Sequence, residues 1–284
     1  MPNAETITKY TGLLDDFLTQ ELITSSLDSA NSTVLGFTEA GNMKVPRIEV
    51  GELGAYNRAT GFDEEEMVVS YDEIKPEFDR GKGFSVDHVD DEETAFVRSA
   101  QGMNVFMKRS VVPQIDATRF MRYANGAGTT ATETLTPETI GAAIKEARLV
   151  LGEAGALDGA RLFMSFGAHG MLEDALKRRY VNESDVKDLI GSINNLTIDD
   201  VRSVCFTKNP VIDADGYVPG SNQINFMIIN PLAVRQLKKH EKLRVFSPDE
   251  NQRKDAWLFQ YRVFHDAFVL PGLEDGVYAH TKEA

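Results

Sequence analysis

The sequence predicts an α+β fold organised around one long helix, and three observations lead there. Over residues 91–125 the apolar residues Phe96, Ala100, Met103, Met107, Val111 and Ile115 recur at steps of three or four. Phe120 and Met121 carry that face onward, so the period is helical. Helical and strand patterns then alternate across 136–247, as in a compact subdomain of sheet and helices. Finally, Trp257, Phe259 and Tyr261 alternate with Leu258, Gln260 and Arg262 near the end of the chain, which predicts a long strand. A helix as long as the first segment would span about 50 Å and serve as a spine.

Composition narrows the function classes. A chain of 284 residues allows one large or two modest domains. The net charge of −14, from 30 basic and 44 acidic residues, argues against a reader of nucleic acid that works by neutralising phosphates. It favours a cationic or counterion-screened partner. The single cysteine, Cys205, excludes an internal disulfide and a cysteine-cluster metal site. Val201, Val204 and Phe206 surround it, so a buried structural thiol is expected. No apolar run approaches the roughly 18 residues that cross a bilayer. The opening MPNAETITKY has no basic region followed by an apolar core, so a cytoplasmic protein is expected.

Taken in order, residues 5–27 set Ile7, Tyr10, Leu14 and Phe17 along one face of a short amphipathic helix. It reads as an arm packed on another subunit or as a helix on its own domain. Residues 43–50, 66–71 and 74–78, rich in Val, Ile and Phe, read as strands. Between the first two lies GELGAYNRATGFDEE, with three glycines and an acidic end. A projecting two-stranded arm fits, and such a hairpin needs a surface to lie on. Residues 79–90 read as the connection from arm to spine, and Arg80-Gly81-Lys82-Gly83 within them lacks the spacing of a phosphate loop. His88 with Asp87, Asp90 and Asp91 has no metal-ligand spacing, and the carboxylates suit a helix start. Pro113 predicts a kink in the spine, and Gly126 and Gly128 its end.

GAGTTATETLTP then reads as a polar linker, and Thr136-Pro137 as a helix start. Ile140, Ile144, Ala147 and Leu151 mark that helix's buried face. A strand over 162–166 and a helix from His169 to Tyr180 follow. Strands are predicted at 200–207 and 224–229, on either side of the loop NPVIDADGYVPGSN. Asn230-Pro231 reads as opening a helix, LAVRQLKKH, with basic residues in its last turn. A short strand is predicted at 243–246, and Pro271-Gly272 breaks the terminal strand before Val277-Tyr278 return.

No catalytic constellation emerges. Ser165 and His169 lack a nucleophile elbow, and GEAGALDG and GAGTT lack the dinucleotide fingerprint. His265-Asp266 reads as a core or interface pair, with Arg262 pairing with an acid across an interface. No cofactor and no metal are expected.

Four stretches carry a family resemblance: FDRGKGFSVDHVDDEETA leading into the spine, VVPQIDATRFMRYA within it, INFMIINPLAV, and DAWLFQYRVFHDAFVL. In order and spacing they resemble the major capsid proteins of tailed double-stranded DNA phages, which have the Hong Kong 97-like capsid fold. The resemblance covers nearly the whole chain. It implies an N-arm over 1–40, an extended E-loop over 41–82 and a peripheral domain with the spine helix over 83–135. It further implies an axial domain over 136–250 and peripheral return strands over 251–284. The implied role is structural and not enzymatic. Hexamers and pentamers would close an icosahedral virion shell around packaged DNA, bound without sequence specificity and with no membrane. The protein would be made in the host cytoplasm.

A portal is implied, and a separate scaffold protein, since the sequence opens almost at the arm. Some members crosslink through an E-loop lysine, but residues 51–66 contain none. The contact residues expected are Leu53 and Tyr56 at the E-loop tip, and Asp213, Asp215 and Tyr217 in the loop 209–222. An encapsulin-like shell around cargo protein shares this fold and is the alternative. An unrecognised cytosolic enzyme is the reading from another class.

Overall fold

The computed structural model describes residues 22–28, 35–37, 42–49, 58, 68–87, 105–179, 192–193, 196–212 and 217–283. Its centre is the helical stretch over 105–125. Residues 91–104 of the expected spine lie outside the described residues. Before Pro113 the helix carries a π-helical turn at Met107–Val111, followed by helix α1 (Val112–Asn125) with Pro113 in its first turn. Proline has no amide to donate, and its ring crowds the carbonyl four residues back. A π turn widens the backbone just before it, and here the Val112 amide reaches back five residues to the Met107 carbonyl. At the other end the Gly126 amide bonds the Arg122 carbonyl at 3.0 Å. A Cβ at Gly126 would lie 2.8 Å from Val269 Cγ2, so only glycine permits this approach of the helix end to the sheet.

Beside α1 lies a seven-stranded mixed sheet. Its strands are β5 (Thr129–Thr132), β6 (Arg161–Ser165), β7 (Ser192–Ile193), β8 (Leu196–Val201), β9 (Thr207–Ile212), β10 (Tyr217–Ile229) and β13 (Val277–Thr281). The order is β5-β13-β10-β6-β8-β7, with β9 paired to β10. Both faces are buried, which explains the unbroken apolar run FMII in β10. Phe163, Met227, Ile229, Val277 and Ala279 face α1 and pack with its Phe120 and Tyr123. Leu162, Met164, Phe226, Ile228 and Tyr278 face the other way. There they meet helix α2 (Ile140–Glu153) and helix α3 (Phe166–Arg179) through Ile140, Ile144, Leu151 and Leu172.

A second sheet, in the order β11-β12-β4, comprises β4 (Phe78–Asp87), β11 (Val234–Phe246) and β12 (Ala256–Val269). It packs Leu243, Tyr261 and Val263 against Met107, Val111, Val112 and Ile115. The spine therefore bridges two sheets, its first half on this one and its second half on the seven-stranded one. A third, three-stranded sheet is made of β1 (Leu35–Phe37), β2 (Met43–Glu49) and β3 (Val68–Ile74).

Several local expectations are corrected here. The segment after Pro231 is not a helix but β11, paired antiparallel to β12 along almost its whole length. Leu232, Ala233 and Leu237 have helical spacing, yet the ladder to β12 satisfies the backbone instead. The predicted strand at 243–246 is the end of β11. Within the expected connection, residues 79–87 are not a linker, since Phe78–Asp87 is a ten-residue edge strand; residues 88–90 lie outside the described residues. The polar linker contains β5, and the strand predicted at 200–207 divides into β8, a 3-10 turn at Ser203–Cys205 and the start of β9. Pairing also crosses the segment bounds read from the sequence. β11, within 136–250, joins the sheet of β4, while β13, within 251–284, joins β10 and β5.

Candidate assembly surfaces

Strand β3 presents apolar side chains to solvent. On β3, Val68, Val69 and Tyr71 are 53%, 43% and 56% exposed, and neighbouring positions on a strand face opposite sides. At the end of β3, Ile74 joins a core cluster, beside Leu237, Phe268 and Leu270. Just after it the chain is fixed to the body. The Glu77 amide donates to Asp266 Oδ2 at 3.0 Å. The Arg122 guanidinium of α1 grips both Asp266 oxygens at 2.9 and 3.0 Å and Glu77 Oε2 at 2.6 Å. It also lies 5.1 Å over the Phe78 ring. A bidentate pair of this kind holds direction as well as distance, so the root of the arm has a set angle. Leu53 and Tyr56 fall outside the described residues.

The N-terminal segment is tied to its own spine at residues 22–28. Leu27 is fully buried in the central core, and Leu22 packs with Met107, Val111 and Ile115. The buried Asp116 carboxylate accepts the Thr24 hydroxyl at 2.7 Å, the Thr24 amide at 3.2 Å and the Ile23 amide at 3.3 Å. Arg119 donates to Thr24 Oγ1 at 2.8 Å and lies 3.6 Å from Asp28. Burial raises the Asp116 pKa, against the pull of the Thr24 bonds and Arg119. Burial raises Asp28 as well. The sequence left open whether this region packs on its own domain; its root does. Residues 5–21, the rest of the predicted helix, lie outside the described residues.

The loop 209–222 is the distal part of a β9–β10 hairpin. Tyr217 is half-buried against the central core, and its hydroxyl donates to the Val204 carbonyl. Burial pushes that phenol's pKa upward. Asp213 and Asp215 lie outside the described residues. The apolar groups that the hairpin does expose are Val211 and Val218, direct cross-strand partners at 54% and 55% exposure. Sequence reasoning passed over them; the alternation in PVI and YVP on either side of the sequence DADG was the available signal. Gly220 closes this hairpin tightly, since a Cβ there would lie 1.6 Å from the Asn209 carbonyl oxygen.

Other titratable residues singled out in the sequence have structural surroundings. The Cys205 thiol is buried and its pKa is pushed up to about 12 by that burial. Arg262 pairs with Asp79 of its own chain at 2.9 Å, which corrects the interface pairing expected for it. His265 is buried and stacked on Phe78 with ring centroids 6.2 Å apart. Ser165 Oγ accepts the Ala168 amide at 3.2 Å and so caps α3, while His169 Nδ1 sits 2.5 Å from Asp200. Among the described residues no cluster of His, Cys, Asp and Glu is placed to hold a metal.

No protein-family model matches the chain, and no curated protein matches its sequence. Its fold does match solved structures. The chain is similar to one in the capsid structure of the cyanophage P-SCSP1u, at 12% identity over 92% of this chain and 88% of that one, with a TM-score of 0.68. It is similar to one in the head structure of Helicobacter pylori bacteriophage KHP40, at 10% identity over 93% and 90%, with a TM-score of 0.62. A third likeness is to the mature capsid of bacteriophage PhiM1, at 13% identity over 85% and 82%, with a TM-score of 0.57. The fold is the Hong Kong 97-like fold of phage capsid proteins.

Proposed function

We propose that this chain is a phage major capsid protein that self-assembles, as hexamers and pentamers, into an icosahedral shell around double-stranded DNA. Scaffold and portal proteins are its partners in this reading, and its destination is the virion. The observation that carries it is the arm sheet. On a capsid fold, β3 exposes Val68, Val69 and Tyr71. Few-stranded sheets without a packed face are marginal in water, and apolar patches of this kind mark interaction sites. A second copy of the same chain supplies cover repeatedly and in closed rings. The β9–β10 hairpin, with Val211 and Val218, is the contact assigned to the ring axis, and the arm is the contact assigned to the adjacent copy's spine.

Expression of the full chain alone, followed by sedimentation and electron microscopy, tests this. Rings or closed particles are the expected product. A sharp monomer or dimer at every concentration would remove the shell reading. Particles filled with protein cargo and free of DNA after purification from phage-infected cells would point to an encapsulin-like shell instead.

A further inference from the structure

A cleft of about 520 Å³ lies beside the π turn of the spine, and three elements each contribute a cation to its wall. Lys82 stands on edge strand β4, opposite Tyr261 of β12. Arg109 belongs to the π turn, and Arg202 leads from β8 into the 3-10 turn Ser203–Cys205. All three are exposed. Arg80 lines the cleft too, but it already has an interaction within the chain. The carboxylate of Asp79 is held by Arg262 at 2.9 Å, and no other acidic residue is among the described lining residues. Part of the wall is apolar, where Phe106 and Tyr261 meet edge to face with ring centroids 6.1 Å apart. Such a wall strengthens the pull of nearby charges, because less water screens them. His265 also lines the cleft and is 4% exposed, and its Nδ1 has no hydrogen-bond partner among the described residues. Buried polar atoms are nearly always satisfied, so an orphan here points to a partner other than these side chains.

We infer that this cleft is a binding site for a small phosphate anion of two or more negative charges, such as pyrophosphate. Cations supplied by three separate elements suit a ligand with oxygens on several sides. A phosphate group presents its oxygens tetrahedrally, whereas a carboxylate presents two in one plane. The guanidinium forks of Arg109 and Arg202 match phosphate oxygens two at a time, and Lys82 adds a point charge. A neutral His265 can donate one N–H to a remaining oxygen. The cleft has the volume of an ordinary small-molecule site. A long polyanion is disfavoured there, since the net charge of −14 repels it at long range, while a small anion carries too few charges to be held off. Bound in the cleft, the anion joins β4, the spine and the connection from β8 to β9. It therefore ties the two larger sheets to the helix between them, and it stabilises the body by linkage. The inference does not depend on the assembly reading.

The test titrates sodium pyrophosphate onto the full chain by calorimetry, with ionic strength held constant by sodium chloride. One saturable site per chain is expected. At about a hundredfold excess over Kd the melting temperature should rise by roughly 5 °C. Arg109→Gln with Arg202→Gln is expected to weaken binding at least about tenfold. Should that pair unfold the chain, Lys82→Gln alone decides, with a loss of at least about threefold expected. Lys242→Gln with Arg244→Gln is the control. It removes two exposed charges from β11 on the face away from Leu243 and the spine, and it is expected to leave the affinity unchanged. Equal loss in both pairs would reveal a general effect of charge and overturn the site, as would the absence of saturable binding. A single-stranded oligonucleotide without terminal phosphates is titrated in parallel. Tighter binding by it than by pyrophosphate, lost in the Arg109 and Arg202 variant, would assign the cleft to a nucleic-acid backbone and overturn the small-anion assignment. Binding of pyrophosphate by a chain that never forms particles would sink the shell reading and leave this one standing.

Discussion

His265 is one of two buried histidines through which acid should reach this fold; burial lowers the pKa of His280 as well. Burial, and secondarily the charge of Arg119, lower the His265 pKa from 6.5 to about 3. As pH falls below 6.5 the unfolded chain takes up a proton that the folded chain refuses until about 3. Stability that is full above that window is therefore lost on acidification, by up to about 1.4 kcal/mol per pH unit from this one group. His265→Phe keeps a ring on Phe78 and removes the titration. Urea midpoints measured from about pH 7 to about pH 4 should fall less steeply in this variant than in the wild type. Parallel slopes would show that His265 is not the group that takes up the proton. The role of such residues was only partly legible beforehand. A buried thiol at Cys205 follows from its apolar neighbours, but the partner of Arg262 does not, because Asp79 lies far away in sequence and is brought close only by the β4–β12 register.

At the scale of elements, the link between residues 22–28 and α1 is the most exposed to a single change. Asp116→Ala strands the Thr24 hydroxyl and two amides that the carboxylate now accepts. An unsatisfied buried donor costs about 1–3 kcal/mol, so a loss of at least that order is expected. Limited proteolysis should cut near residues 22–28 in the variant well before the wild type, and equal cutting rates would show that Leu22 and Leu27 hold the segment without Asp116. The same elements mark how far the sequence could be read. The α2 face of Ile140, Ile144, Ala147 and Leu151 is buried as its spacing predicts, and so is the terminal strand's place in a sheet. β11 was misread because Lys238-Lys239-His240 resembles a basic helix end, while the irregularity between Lys238 and His240 shifts its alternation. Which of two satisfactory backbone partners wins is a tertiary question, settled by β12. Edge strand β4 was missed for a related reason: its glycines Gly81 and Gly83 and its cations lower strand propensity, and pairing with β12 overrides them.

At the scale of the whole molecule, the body rests on cores of its own. The spine joins two sheets and buries clusters on both, and β3 meets the body at Ile74. Removing residues 52–62, including Leu53 and Tyr56, should therefore leave the body's cores intact. Its melting temperature is expected to stay within a few degrees of the wild type, because a shift of that size corresponds to about 1 kcal/mol or less in a chain of this length. Assembly should respond in the opposite sense. A net charge of −14 makes copies repel one another at long range, so close packing into a shell depends on short-range contacts, and exposed ion pairs alone contribute little. In the reading proposed above, the arm supplies apolar contact at Val68, Val69 and Tyr71, which are exposed, and at its tip. The deleted chain is accordingly expected to sediment as folded small species under conditions in which the full chain forms particles. Closed particles of normal size from the deleted chain would show that the arm is dispensable, and the shell would then have to be held by the β9–β10 hairpin and the body alone.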